Sequence, residues 1–284
     1  MHHCQISKLT CMKKIVLCSL ALFLGTLLSA RNMVTRSYQL EPFNAINASF
    51  IYQIEVYRGD SHTMELEIPE ELVGELEINV SGKVLHLGVT REWWRTAKNV
   101  FSRNHTIRAK ITMPELEGIE LSNAASLSTK DGFNPSNFRI RLTGATAAEV
   151  HIMTHASNID INGASKLEIK GLSTNTKGYV NGASTLLFNQ EVAGIELQVG
   201  GASTVVMKGS ASRADIRVSG ASAIKATEFD TEEMKIRCSG ASGAHVHVTG
   251  KIDVSVSGAS DIHVKGGPEF TRSSSSGASS IKSL

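Results

Sequence analysis

The chain has 284 residues, a formal net charge of +2 and 20% charged residues. A near-neutral balance with no basic stripe and no interleaved aromatics argues against a nucleic-acid binder. Three of the four cysteines, Cys4, Cys11 and Cys18, crowd the first 18 residues, which excludes a disulfide framework and a zinc site built from thiolates.

In chain order, Met12 to Ala30 reads as a secretory signal: Lys13 and Lys14, an apolar run from Ile15 to Leu28, then Ser29-Ala30. The apolar run is short for a membrane span. Met12 reads as the start, with residues 1–11 an upstream extension, and no lipobox surrounds Cys18. With residues 1–30 removed as leader, no integral membrane segment is expected in the mature chain, and only Cys238 of the cysteines remains.

Residues 31–118 read as an N-terminal β cap region. Phe50–Tyr57, Met64–Ile68, Leu76–Val80, Val84–Val89 and Ile107–Met113 alternate apolar with polar residues and are separated by turn signals such as Arg58-Gly59-Asp60 and Ser81-Gly82-Lys83. Pro69 to Val73 suits one helical turn. The segment 91–104 breaks this rhythm. It carries Trp93, Trp94, Arg95, Lys98, Phe101 and Arg103, a set of aromatics and cations suited to stacking on sugar rings or gripping an anionic glycan, and these six are the candidate ligand-binding residues. The competing reading is that the two tryptophans cover the end or flank of an apolar core.

From 119 to 284 one unit repeats. Gly-Ala-Ser or a close variant begins at Gly144, Gly163, Gly182, Gly201, Gly220, Gly240, Gly258 and Gly277, at intervals of 18 to 20 residues, with a weaker copy at Asn123-Ala124-Ala125. Units this small cannot bury their own apolar face, so the period predicts a stacked solenoid. With the glycine as position zero, apolar residues fall at minus two (Leu142, Ile161, Val180), plus four (Leu167, Leu186, Val205) and plus six (Ile169, Phe188, Met207). That pattern is two half-buried strands joined by a corner. The predicted fold is an all-β, single-stranded parallel β-helix of about nine 19-residue coils, taken as right-handed from the general preference of parallel crossovers.

At the corner, glycine supplies the backbone freedom and Asn123 is its one substitute. Ala at plus one is expected to point inward as stacked methyls, and the Ser or Thr at plus two to form a hydroxyl ladder. About six residues per unit, such as Lys170 to Asn175, are left for a return path. Cys238 stands at an inward minus-two position and reads as a small buried hydrophobe. At the far end, Arg272 to Ser276 replaces the apolar strand with serines, so the last coil is expected to be solvated.

The strand pattern starting near Phe43-Asn44-Ala45-Ile46, the Gly59-Asp60 turn, Pro114-Glu115-Leu116 and the serial Ser-Gly-Ala-Ser repeats together resemble the head GIN domain family (putative auto-transporter adhesin), over roughly residues 38–284. The resemblance implies an exported protein of Gram-negative bacteria with a β-helical head and no catalytic residues to carry over. An auto-transporter also needs a C-terminal barrel of alternating strands, and none is seen here, so retention at a surface would need another element.

Other chemistry-bearing residues are sparse. His245, His247 and His263 fall close together, with His245 and His263 one coil apart, about 5 Å; two imidazoles make a weak metal site, and they read as solvated surface residues. Asp215 and Asp253 share a column but Lys235 lies between them, and no acid pair suits glycoside hydrolysis. No nucleophile motif or phosphate loop is present. No cofactor or metal is assigned. The expected function is a non-enzymatic, exported adhesin-like or ligand-binding protein of the cell envelope, in the periplasm or at the cell surface, with a polysaccharide or an envelope or host-surface component as partner. The rival classes are a polysaccharide-active enzyme on the same scaffold and a self-associating structural component of the envelope.

Overall fold

The computed structural model describes residues 33–90, 92–93 and 106–284; the expected signal lies outside them. The N-terminal strands are β1 (Met33–Gln39), β2 (Ala45–Ala48), β3 (Tyr52–Arg58), β4 (Thr63–Pro69), β5 (Leu76–Ser81), β6 (Val84–Val89) and β7 (Ile107–Met113). Short strands β8 (Gly118–Leu121), β9 (Ser126–Thr129) and β10 (Asn137–Leu142) open the repeats. Six long strands follow: β11 (Ala147–Ile161), β12 (Lys166–Val180), β13 (Thr185–Val199), β14 (Thr204–Val218), β15 (Ala223–Cys238) and β16 (Gly243–Val256). The series closes with β17 (Asp261–Lys265), β18 (Glu269–Ser275) and β19 (Ser280–Ser283). Pro69–Val73, expected as one helical turn, holds a 3-10 turn at Glu70–Leu72.

The fold is the expected stack of parallel coils. Residues one repeat apart pair in parallel, as in Leu167 with Leu186 and Leu186 with Val205. Each coil is flattened between two sheets. The first sheet runs β5, β6, β2, β8, β10, then the C-terminal halves of β11 to β16, then β18. The second runs β1, β4, β7, β3, β9, then the N-terminal halves of β11 to β16, then β17 and β19. The minus-two, plus-four and plus-six columns fill the space between them; Val180, Leu186, Phe188, Val205 and Met207 are at most 1% exposed. Each such side chain contributes roughly 1.5–3 kcal/mol by burial, and only stacked coils allow it.

The return path differs from expectation. Lys170 to Asn175 is part of β12 rather than a connecting segment, because the ladder continues through a second bend on the far side of the coil. Close backbone approach is needed there too. Gly171 and Gly209 have φ of 117° and 113°, and a Cβ on either would sit 2.2 Å from a carbonyl oxygen of the preceding coil. The space above Gly171 is used by buried Gln190, whose Nε2 reaches past it to donate to the Ile152 carbonyl two coils away, at 3.4 Å.

The Gly-Ala-Ser corner is also turned the other way from the expectation. The alanine at plus one is exposed and the serine or threonine at plus two is buried, with Thr146, Ser165, Ser184, Ser203, Ser222, Ser242 and Ser260 at most 3% exposed. A residue with positive φ at position zero swings the chain so that alternation resumes at plus two. The buried hydroxyl finds its acceptors in the turn carbonyls: Ser184 Oγ donates to the Asn181 carbonyl at 2.7 Å, and Ser203 Oγ approaches the Gly182 carbonyl of the previous coil at 3.3 Å. The hydroxyl ladder itself is as expected. The alanine amide meanwhile donates to the corner carbonyl of the coil before, as from Ala202 to Gly182 at 2.7 Å.

Two further coils precede the repeats, and they are threaded out of chain order. β2 lies between β6 and β8, and β3 between β7 and β9. The chain therefore lays down the β2–β3 coil, leaves through β4 and β5, adds the β6–β7 coil outside it, and returns to the other side of β2–β3 with β8. Antiparallel β4 and β5, with β1 on β4, cover the outermost of these coils. At the other end β18 is exposed at every residue, as its serines imply.

Candidate functional site

Three places bear on function: the corner of the outermost coil, the faces of the two sheets, and the histidine pair. At the corner, β6 ends at Val89 and β7 begins at Ile107, so the aromatic and cationic excursion replaces the turn of the β6–β7 coil. Trp93 is half-buried against the core; its ring meets Phe50 edge-on at 4.9 Å and 89°, and its amide donates to Thr90 Oγ1 at 3.3 Å. Trp94, Arg95, Lys98, Phe101 and Arg103 lie outside the described residues.

On the second sheet an open trough of about 460 Å³ crosses β4, β7, β3, β9, β11 and β12. Its floor is low because the outward residues there are short: Ser126, Ser128 and Ala147. Charged side chains bound it, Glu55 and Lys110 on one side and Glu149 and Lys166 on the other. Glu55, Glu149 and Glu168 are ion-paired. Glu55 accepts from Lys130 Nζ at 2.9 Å and from the Tyr57 hydroxyl at 3.0 Å, and these hydrogen bonds hold its carboxyl below the usual range. Lys170 Nζ lies 2.8 Å from Glu149 and 2.9 Å from Glu168, and the Lys170 hydrogen bond lowers Glu149 likewise. Two carboxylates sharing a column two coils apart, about 9.6 Å, stand near the separation of an inverting glycosidase. Both are lowered by their lysine hydrogen bonds, the opposite of the shift a general acid needs.

His245 and His263 stack at 4.6 Å and 14°, close to the separation expected from one coil, and His247 Nδ1 lies 2.6 Å from Asp230 Oδ1. No group of three or more His, Cys, Asp or Glu suited to a metal occurs among the described residues. Cys238 is 2% exposed, and burial pushes its thiol up to about 11, so it behaves as the hydrophobe expected. Arg141 and Asp160 meet on adjacent coils at 3.2 Å, and Lys235 sits between Asp215 and Asp253 in register.

The sequence matches, over residues 42–189 and 173–268, the family described as "Putative auto-transporter adhesin, head GIN domain". The chain belongs to this family. The fold is shared with solved relatives: a putative adhesin from Parabacteroides merdae ATCC 43184 (15% identity, TM-score 0.67, covering 89% of this chain and 96% of that one), and one from Parabacteroides distasonis ATCC 8503 (16%, 0.65, 89% and 97%). A third, named a putative lipid binding protein, also from Parabacteroides distasonis ATCC 8503, aligns at 20% identity and TM-score 0.63, covering 89% and 97%. No match is found among curated proteins. For a head GIN domain chain, the residues that sequence reasoning missed are those lining the sheet faces. Their signal was the run of short outward residues at matching positions of successive repeats, visible once register is known.

Proposed function

We propose that this head GIN domain protein is an exported, non-enzymatic, adhesin-like scaffold of the bacterial cell envelope that holds a polysaccharide along its sheet faces. The observation that supports the reading most strongly is the outside of the stack: polar side chains repeat at one coil spacing, about 4.8 Å, and line open troughs. A polymer of repeating units can meet such columns in step, each coil adding a small contact, so that affinity grows with chain length. Against an enzyme stands the ion pairing of Glu55 with Lys130 and of Glu149 with Lys170, which lowers both carboxyls instead of raising one. The excursion carrying Trp94, Arg95, Lys98, Phe101 and Arg103 is a further contact in this proposal, with Trp93 anchoring its base on Phe50. No helix among the described residues is long and apolar enough to cross a membrane.

The test is twofold. Cell fractionation should recover the chain in the periplasm or on the surface, and the purified protein should bind envelope or host glycans on an array without releasing oligosaccharides. Recovery in the cytoplasm, or binding confined to lipids, would overturn the reading.

A further inference from the structure

The outer face of the first sheet carries a second trough, of about 450 Å³, on a face of the coils that the acid-lined trough does not occupy. Its floor is the column one residue before each corner: Asn181, Gly200, Ser219, Ser239 and Ser257. Its wall is the next outward column, Tyr179, Gln198, Arg217, Arg237 and Ser255, which pair in register one per coil. The trough therefore runs along the stack, not across it.

Three features of this wall point to one ligand chemistry. Tyr179 keeps 38% of its surface exposed where its neighbours in the column are polar, so an aromatic face is presented to solvent. Arg217 is held by Glu196 at 3.5 Å and Asp215 at 3.3 Å, while the ion pair of Arg237 is with Asp215 at a loose 3.9 Å. Arg237 thus retains most of its fork of donors for an incoming anion. The floor is flat at Gly200, where a Cβ would lie 2.4 Å from Asn181 Oδ1, so the Asn181 amide extends over the glycine along the trough.

We propose that this trough binds a linear acidic polysaccharide laid parallel to the stack, with one sugar ring on Tyr179 and a carboxylate or sulfate on Arg217 and Arg237. Tyr179 and Arg217 are two coils apart, about 9.6 Å, which is the scale of a disaccharide repeat in an extended glycan. Serine hydroxyls and the Asn181 and Gln198 amides offer the donors and acceptors that sugar hydroxyls need. An acyl chain finds no apolar cleft here, and a peptide strand finds no free backbone, because the sheet's hydrogen bonds are used between coils. The inference rests on the polysaccharide-scaffold reading and names its ligand class and its site.

The experiment titrates the full chain by calorimetry with size-defined oligosaccharides in three arms: hyaluronan (carboxylated only), dextran sulfate (sulfated only) and a neutral dextran. The expected result is binding in at least one acidic arm, weakened by salt, and none with dextran; which acidic arm responds tells carboxylate from sulfate. Tyr179→Ala with Arg237→Gln, at an exposed and a half-buried position, should weaken that binding about tenfold or more with an unchanged melting temperature, and restoring Arg237 alone should recover part of it. Equal binding by the double variant would overturn the inference while leaving the scaffold reading intact, as would equal binding of dextran. Failure of the wild-type chain to bind any of the three would overturn the inference, and the scaffold reading falls with it only if the glycan array is blank as well.

Discussion

The repeat coils and the threaded β2–β3 coil solve the same corner in opposite ways. At the glycine corners of the repeats, position zero excludes a side chain on two counts: φ is positive, 73° at Gly220, and an added Cβ would lie 2.4 Å from the Gly201 carbonyl of the coil before. In the threaded coil the same place is held by Phe50, at φ 78°, with its amide-bearing neighbours bonded into the stack as Ala124 to the Phe50 carbonyl at 3.0 Å. The difference is what lies on the N-terminal side. A repeat corner faces another tight corner, whereas Phe50 faces the coil whose chain departs after Val89, and the room so made is filled by Phe50 itself and by Trp93. Positive φ alone thus does not demand glycine, as Phe50 and Asn123 show; the close carbonyl of the preceding coil does so at the glycine corners.

Substitutions at these corners break the comparison most sharply. Gly220→Val sets a β-branched side chain at positive φ against backbone that cannot yield; a loss of more than about 4 kcal/mol, or failure to fold, is expected in chemical denaturation. Phe50→Ala should cost about 3–5 kcal/mol by emptying a buried site. Phe50→Gly should be about 1 kcal/mol less damaging than the alanine variant, because it removes the left-handed strain that alanine retains. The reverse order would mean that Phe50 is not strained.

A smaller contrast lies within the repeat corner. Ser203→Ala removes a buried hydroxyl bonded toward the Gly182 carbonyl and should cost about 1 kcal/mol, whereas Ala202→Ser, one residue earlier and exposed, should change stability by less than about 0.5 kcal/mol. Equal effects would contradict the burial of plus two. The smallest effect is on pH. Glu55, Glu149 and Glu196 are lowered by lysine hydrogen bonds, so the stability they add is present above their ordinary value of 4.5 and is lost as pH falls through the lower folded value. Lys130, Lys170 and Lys177 are raised by the same contacts, so their share is present below 10.5 and is lost as pH rises through the higher folded value. A melting temperature level between these limits, with a slight fall at each end damped by salt, is the expected profile.

The stack was legible because its period sits in one stretch of chain and each apolar column repeats with it, from Leu142 to Val256. The orientation of the corner was not. Alternation slips across Gly-Ala-Ser in a way that either alanine or serine can absorb, and a rule that favours buried methyls over buried hydroxyls picks the alanine, whereas the structure buries plus two, Ala125 of the Asn123 copy included. The threading of β2–β3 left no local trace, since its partners Val84–Leu87 and Gly118–Leu121 are distant in sequence. The wall of Tyr179, Arg217 and Arg237 was hidden for a related reason: each is an ordinary surface residue until register sets them in a line.

Cross-linking tests that register most directly. Ala183 and Ala202 occupy the exposed plus-one position of adjacent coils, about 4.8 Å apart and within the Cα separation a disulfide accepts. Ala183→Cys with Ala202→Cys should close a disulfide on mild oxidation, seen as linked peptides by mass spectrometry, while Ala183→Cys with Ala221→Cys, two coils apart at about 9.6 Å, should not. Closure of the distant pair in preference to the adjacent one would contradict a stack of corners in register.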